Sequence, residues 1–261
     1  MGTDRSGVWA AIAALVVISS APPARSQGAQ APVTVSAAIS LTDALEAVAR
    51  VCAHDGGPAV RFNFAGSNVL SRQIVSGAPV DLFVSADEAQ MDLAARAGAI
   101  DMTTRVALLS NRLAVVTLPG GPAIGDIRAL LQPAVRRIAV GDPAAVPAGR
   151  YARDYLRRLG LWEALEPKLV PVSNVRAALG AVENGSADAA ITYETDAADA
   201  HTARAALIVS GADAPRIIYP AAIVSAAPNR QGAERLLAYL RGPAAAAIFR
   251  QHKFVPLEPG A

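Results

Sequence analysis

An α/β fold with parallel sheets is the fold class that this sequence predicts. Short apolar runs alternate with amphipathic helical stretches from Val33 onward, and 52% of the residues are hydrophobic, many of them alanine. Strands that alternate with helices imply parallel sheets covered on both faces. The 261 residues suffice for one large α/β domain or for two lobes, each of roughly 100 residues.

In the first half, hydrophobic periodicity separates the elements. Residues 41–53 place Leu41, Leu45 and Val48 on one helical face, whereas residues 60–64 form a short strand-like run. The predicted strands are 33–37, 60–64 and 81–85, and the predicted helices are 41–53, 69–75 and 88–97.

The second half continues the alternation. Gly160 and Gly185 each follow a helical stretch, in the position where glycine commonly ends a helix. The predicted strands are 113–118, 138–140, 169–172, 189–193 and 217–224, and the predicted helices are 151–159, 175–184, 234–240 and 244–252.

The N-terminal residues 1–27 have the layout of a secretory signal peptide. Arg5 precedes an apolar run over residues 8–18, and small residues near Ala24 and Ser26 follow. The run is shorter than the ~20 residues of a membrane span, so a cleaved signal is favoured over an uncleaved anchor. No cysteine stands directly after the run, which disfavours a lipid attachment. We therefore expect export to the periplasm.

Composition disfavours several other classes. The net charge is +2, the charged residues of both signs are scattered along the chain, and no long basic run occurs. We therefore expect no nucleic-acid partner. Cys52 is the lone cysteine and reads as a buried structural thiol, while the three histidines lack ligand spacing. No catalytic, phosphate-loop or cofactor motif is present, so we expect neither an enzyme nor a cofactor.

Four predicted strand ends share one sequence pattern, in which a turn of small or polar residues leads into a helix. They lie at residues 36–43, 64–68, 141–151 and 171–176. A helix N-terminus offers unpaired N–H groups and a positive dipole end, and strand ends of α/β sheets are where ligands bind. Any one such turn is more often a plain helix cap. Together they favour an anion site, to which Ser40 and Ser67 would add hydroxyls.

These turns also carry a family resemblance. Residues 37–44, with Ser40, and residues 64–67, with Ser67, resemble the two serine loops of periplasmic molybdate-binding proteins. Residues 77–87, 141–152, 174–179 and 191–197 are similar to further landmarks of that family, in the same order. The resemblance spans about residues 33–256.

The resemblance implies a set of ligand-binding residues for the oxyanion. The serines would donate through hydroxyl and backbone N–H, two residues through backbone N–H alone, and one tyrosine through its phenol: Ser40, Ser67, Ala148, Val175 and Tyr193. The metal atom would be held only through its oxygens, with no direct metal-ion ligand. Since the family does not bind the anion with arginine, Arg150, Arg153 and Arg176 are interpreted as solvated or partner-facing charges.

The resemblance also implies a two-lobed periplasmic-binding-protein fold with the ligand in the cleft between the lobes. Lobe one would comprise residues 32–112 and 223–256, and lobe two residues 113–222. Molybdate or tungstate would be captured by closure of the lobes and delivered to the membrane permease of an ABC importer. We expect a monomer.

Four alternatives stay open from sequence. The protein could bind another tetrahedral oxyanion, such as sulfate or phosphate. It could be an enzyme, although no motif favours one. A sugar or peptide site would want aromatic platforms, yet the chain after the leader has one tryptophan, Trp162. A sensor module would need a DNA-binding segment.

Overall fold

The computed structural model describes residues 1–2 and 31–258. The predicted signal peptide therefore lies, apart from its first two residues, outside the described part. No helix in the described part combines the length and the apolar character that crossing a membrane requires.

Strands and helices alternate through most of residues 31–258. The strands are β1 Val33–Ala38, β2 Val60–Ala65, β3 Leu82–Val84, β4 Val106–Asn111, β5 Leu113–Thr117, β6 Ile138–Gly141, β7 Leu169–Val172, β8 Ala189–Tyr193, β9 Arg204–Ile208, β10 Ile217–Ile223 and β11 Val255–Pro256. The helices are α1 Thr42–His54, α2 Ser67–Val75, α3 Glu88–Arg96, α4 Pro147–Arg158, α5 Trp162–Leu165, α6 Val175–Glu183, α7 Glu194–Ala198, α8 Arg230–Leu240 and α9 Pro243–Gln251. Short 3-10 turns lie at Ile39–Leu41, Met102–Thr104, Ile127–Leu131 and Glu166–Lys168.

The strands form two mixed sheets with the same internal plan. The first has the order β11-β4-β10-β3-β1-β2 and the second the order β7-β6-β8-β5-β9. In each, three neighbouring strands run parallel, namely β2-β1-β3 and β7-β6-β8. The other pairings are antiparallel. The predicted α/β class is confirmed, but parallel pairing is confined to three strands of each sheet.

Antiparallel pairing arises where the chain passes between the sheets. Only Arg112 separates β4 of the first sheet from β5 of the second, and β10 returns to pair with β3 and β4. Both strands at this crossing pair antiparallel within their own sheets, β4 with β10 and β11, and β5 with β8 and β9. The prediction missed β4, β9 and β11.

The expected lobe boundary at 222/223 falls inside β10. That strand is paired with the first sheet from Ile217 to Ile223, so all of it belongs there. The part of the chain from Ala31 onward packs as one unit, and its largest apolar core takes residues from both sheets, such as Val35 and Val115. The division into two lobes stays a prediction.

Helix α1 shows how the sequence pattern becomes packing. Its residues Leu45, Val48 and Cys52 are buried on one face, as the periodicity predicts. Cys52 is fully buried, and burial is the main cause that raises the pKa of its thiol. A buried thiol with a raised pKa is a poor nucleophile, which fits the structural role expected for it.

Candidate functional site

A small cavity brings together five residues that lie far apart in the chain. Its lining includes Ser40, Ser67, Ala148, Val175 and Tyr193. These are the five residues that the resemblance singled out. The cavity is small, which suits a compact ion better than a sugar or peptide. In the described residues, no charged side chain lines it.

The first sheet contributes two buried serines. Ser40 lies in the 3-10 turn directly after β1, and Ser67 begins α2 directly after β2. Only 2% and 1% of their surfaces are exposed. Since β1 and β2 are parallel neighbours, their carboxyl ends lie side by side and bring the two serines to one edge of the sheet.

Both serine oxygens also contact protein groups. The Ala86 N–H donates to Ser67 Oγ over 2.9 Å, and Ser40 Oγ lies 3.0 Å from the Tyr219 hydroxyl. An oxygen that already accepts from the protein can still donate its own proton to a ligand. Tyr219 and Ala86 were not among the predicted residues.

The second sheet contributes helix N-termini. Ala148 lies in the first turn of α4, just after Pro147, and Val175 is the first residue of α6. The first N–H groups of a helix have no partner within the helix. Asn174 caps α6 by accepting from the Ala177 N–H over 2.9 Å, which leaves the Val175 N–H to other acceptors.

Close approach of α4 to its sheet depends on a glycine. A Cβ added to Gly149 would lie 1.8 Å from the Gly141 carbonyl oxygen at the end of β6. Only glycine therefore allows the N-terminus of α4 to sit this near the strand end. That contact also fixes the position of the neighbouring Ala148, which lines the cavity.

Tyr193 completes the cavity at the end of β8. It is 1% exposed, and its hydroxyl has no hydrogen-bond partner among the described residues. Burial is the main cause that holds the pKa of this hydroxyl well above its usual value of 10. The phenol therefore stays protonated at neutral pH and can act as a donor.

Arg176 does not project into solvent, and the interpretation of this residue as a solvated or partner-facing charge is wrong. Its guanidinium lies 2.7 Å from Asp43, 2.7 Å from Asp196 and 3.2 Å from Asp199. Asp43 comes from α1 beside the first sheet, so this ion cluster also joins the two sides of the cavity. Burial raises the pKa of Asp196 to about 7 even though Arg176 acts to lower it.

The other two arginines are partly exposed. Arg150 lies 3.9 Å from buried Asp87, and Arg153 donates to the Pro143 carbonyl oxygen over 2.8 Å. Neither lines the cavity. Within the part of the chain that the structure describes, no cluster of histidine, cysteine or acidic residues could hold a metal ion.

Taken together, the cavity is a set of uncharged donors at the strand ends of two sheets. Hydroxyl O–H groups and helix-terminal N–H groups suit the oxygens of a small anion, which they bind by dipoles rather than by a salt bridge. Two mixed α/β sheets with such a cavity between their strand ends define the periplasmic-binding-protein fold. The chain belongs to the family of bacterial extracellular solute-binding proteins, whose model matches residues 33–255.

Individual relatives narrow the comparison. The chain is 37% identical over 254 residues to the molybdate-binding protein ModA of Escherichia coli (strain K12), covering 94% of this chain and 97% of the relative. It is 33% identical to the molybdate-binding protein ModA of Haemophilus influenzae, covering 87% and 91% of the two chains.

Solved structures show the same architecture. The periplasmic molybdate-binding protein of Azotobacter vinelandii superposes with a TM-score of 0.75 at 25% identity, over 85% of this chain and 98% of that chain. The sulfate-binding protein SubI of Mycobacterium tuberculosis superposes with a TM-score of 0.76 at 18% identity, over 87% and 88%. The second likeness concerns the fold alone.

Proposed function

We propose that this protein captures molybdate or tungstate outside the cytoplasm and delivers it to the membrane permease of an ABC importer. The observation that carries the proposal is the small uncharged cavity in which Ser40, Ser67, Ala148, Val175 and Tyr193 meet. The likeness to the Escherichia coli molybdate-binding protein over 94% of this chain supports the choice of anion.

A neutral site has a physical advantage for a dianion. A buried salt bridge has to repay the desolvation of both charges, whereas fixed dipoles hold the anion without a second buried charge. Selection among tetrahedral oxyanions would then rest on cavity size, because the metal–oxygen bonds of molybdate and tungstate are longer than the sulfur–oxygen bonds of sulfate.

Capture would couple to closure, because the donors come from two sheets. An anion that contacts both sides stabilises the arrangement in which they are close, so binding shifts the balance toward the closed form. The permease would recognise that form. The proposal includes export by a signal peptide at residues 1–27, a periplasmic location and a monomer, with no catalytic step and no nucleic-acid partner.

Isothermal titration of residues 28–261 with molybdate, tungstate, sulfate and phosphate tests the proposal. We expect tight one-to-one binding of molybdate and tungstate only. Binding of sulfate or phosphate alone would keep the anion site and replace the ligand. If none of the four anions binds, the serines and helix termini serve only as structural caps and the proposal is wrong.

A further inference from the structure

Ser40 is the end of a buried chain of hydrogen bonds that begins at the junction between the two sheets. Its oxygen lies 3.0 Å from the Tyr219 hydroxyl, and the Asn111 side-chain amide donates to that same hydroxyl over 3.2 Å. Exposure of Asn111 is 4% and that of Tyr219 is 0%. Asn111 is the last residue of β4, next to the crossing into β5, and Tyr219 lies in β10.

The orientation of the Asn111 amide follows from its other contact. The backbone N–H of Arg112 donates to Asn111 Oδ1 over 2.8 Å. Because an N–H can only donate, the oxygen of the amide must face it, and the amide nitrogen faces the other way. That nitrogen then donates one proton to Tyr219 and the other to Thr195 Oγ1, 3.0 Å away.

The directions of the later bonds follow from the acceptors within reach. The Tyr219 oxygen accepts from Asn111, and among the described residues Ser40 Oγ is the acceptor within reach of its single O–H. Because a buried hydroxyl that donates to nothing costs free energy, we infer that this O–H donates to Ser40. Burial raises the pKa of Tyr219, which keeps that proton in place at neutral pH. The Ser40 oxygen accepts from Tyr219, and its own O–H is left to point into the cavity that Ser40 lines.

We propose that Asn111 and Tyr219 are positioning residues that hold the Ser40 hydroxyl as a hydrogen-bond donor to the bound anion. This inference rests on the proposed function. Ser67 has a matching arrangement, because its oxygen accepts from the Ala86 N–H. The O–H groups of both serines are therefore left to donate to the ligand. An oxyanion without protons offers only acceptors, so hydroxyls oriented in advance bind it without a cost of reorientation.

A double-mutant cycle in molybdate titrations tests the proposal. The variants are Tyr219→Phe, Ser40→Ala and the pair, each also melted without ligand to verify folding. We expect Tyr219→Phe to weaken binding about tenfold, the scale of one hydrogen bond to a charged group. If Tyr219 acts through Ser40, the pair binds no more weakly than Ser40→Ala alone.

Tyr239→Phe is the matched control, since its hydroxyl donates to Asp55 at the surface over 2.8 Å and it does not line the cavity. We expect its affinity to equal that of the wild type. The cycle repeated with Asn111→Ala in place of Tyr219→Phe covers the case of a misfolded tyrosine variant, with the same expected result.

The outcomes separate the two proposals. Wild-type affinity in Tyr219→Phe, or losses that multiply in the pair, would overturn the positioning role and leave molybdate binding intact. A wild-type protein that binds no molybdate would overturn the proposed function and the positioning role with it.

Discussion

The two sides of the cavity present donors of different origin. On the first side Ser40 and Ser67 would add hydroxyl groups to their backbone N–H groups, and each of these hydroxyls also contacts another protein group. On the second side Ala148 and Val175 offer main-chain N–H groups at helix starts. Among the three residues proposed as donors on that side, Tyr193 would donate through its side chain.

This difference determines how each side can fail. A hydroxyl disappears with one substitution that leaves the backbone alone, whereas a backbone N–H survives any ordinary change of its own side chain. The second side is therefore vulnerable through the residues that place its helices, such as Gly149 and Asn174. Predictions on the two sides accordingly target different kinds of residue.

The largest effect is expected on the serine side. Ser40→Ala combined with Ser67→Ala removes two hydroxyl donors to a charged ligand, each worth about 1.5–3 kcal/mol. Molybdate affinity should fall about a hundredfold or more, measured by isothermal titration. Ser76→Ala with Ser225→Ala, at two exposed serines, should bind as the wild type does. Near-normal affinity in the first pair would remove the serines from the ligand set.

A backbone change should break the other side. Gly149→Ala places a Cβ against the Gly141 carbonyl, so α4 must shift and carry the Ala148 N–H with it. We expect about 1–3 kcal/mol lower stability in urea unfolding and about tenfold weaker molybdate binding from one misplaced donor.

Gly180→Ala is the control for that substitution. Gly180 lies in α6 with no atom within 4 Å of an added Cβ. Alanine should stabilise this helix by about 0.5–1 kcal/mol and leave affinity unchanged. An equal loss of affinity in both variants would show that Gly149 has no special role in placing α4.

The smallest effect concerns the contact that joins the sides. Asp43→Asn weakens the ion pair between α1 and Arg176, in which the Asp43 side chain is 46% exposed. Because such a pair contributes about 1 kcal/mol at most, affinity should fall about two- to fivefold. Glu234→Gln, which alters an ion pair within α8, should not change it. Equal affinities for both variants in titrations would deny Arg176 a part in closure.

The local pattern of apolar and turn residues predicted most of the parallel strands and the helices that follow them. Strand 169–172 and strand 189–193 were placed with their observed bounds, because each is a short apolar run flanked by turn residues. Strand β9, with the sequence RAALI, carries no such pattern, since alanine and arginine favour helices. Strand β4 adjoins β5 with one residue between them, so no turn signal marks the crossing.

The residues of the candidate site also divide into those that the sequence predicted and those that it missed. Each serine and helix start was visible from its own neighbourhood and from the family resemblance. The surroundings of Arg176 were not, because its carboxylates come from two other segments of the chain: Asp43 lies 133 residues away in α1, and Asp196 and Asp199 lie in and at the end of α7. Tyr219 was hidden in an apolar run, where the only hint was a buried hydroxyl that needs a partner.

The sequence by itself determined which segments form strands and helices and which turns can offer donors, because side-chain periodicity and turn chemistry act over a few residues. Only the tertiary structure decided that these turns meet around one cavity and that Ser40 is hydrogen-bonded to a tyrosine 179 residues away. Such contacts depend on the order of strands in two sheets and on the chain crossing between them. No short stretch of sequence encodes that order.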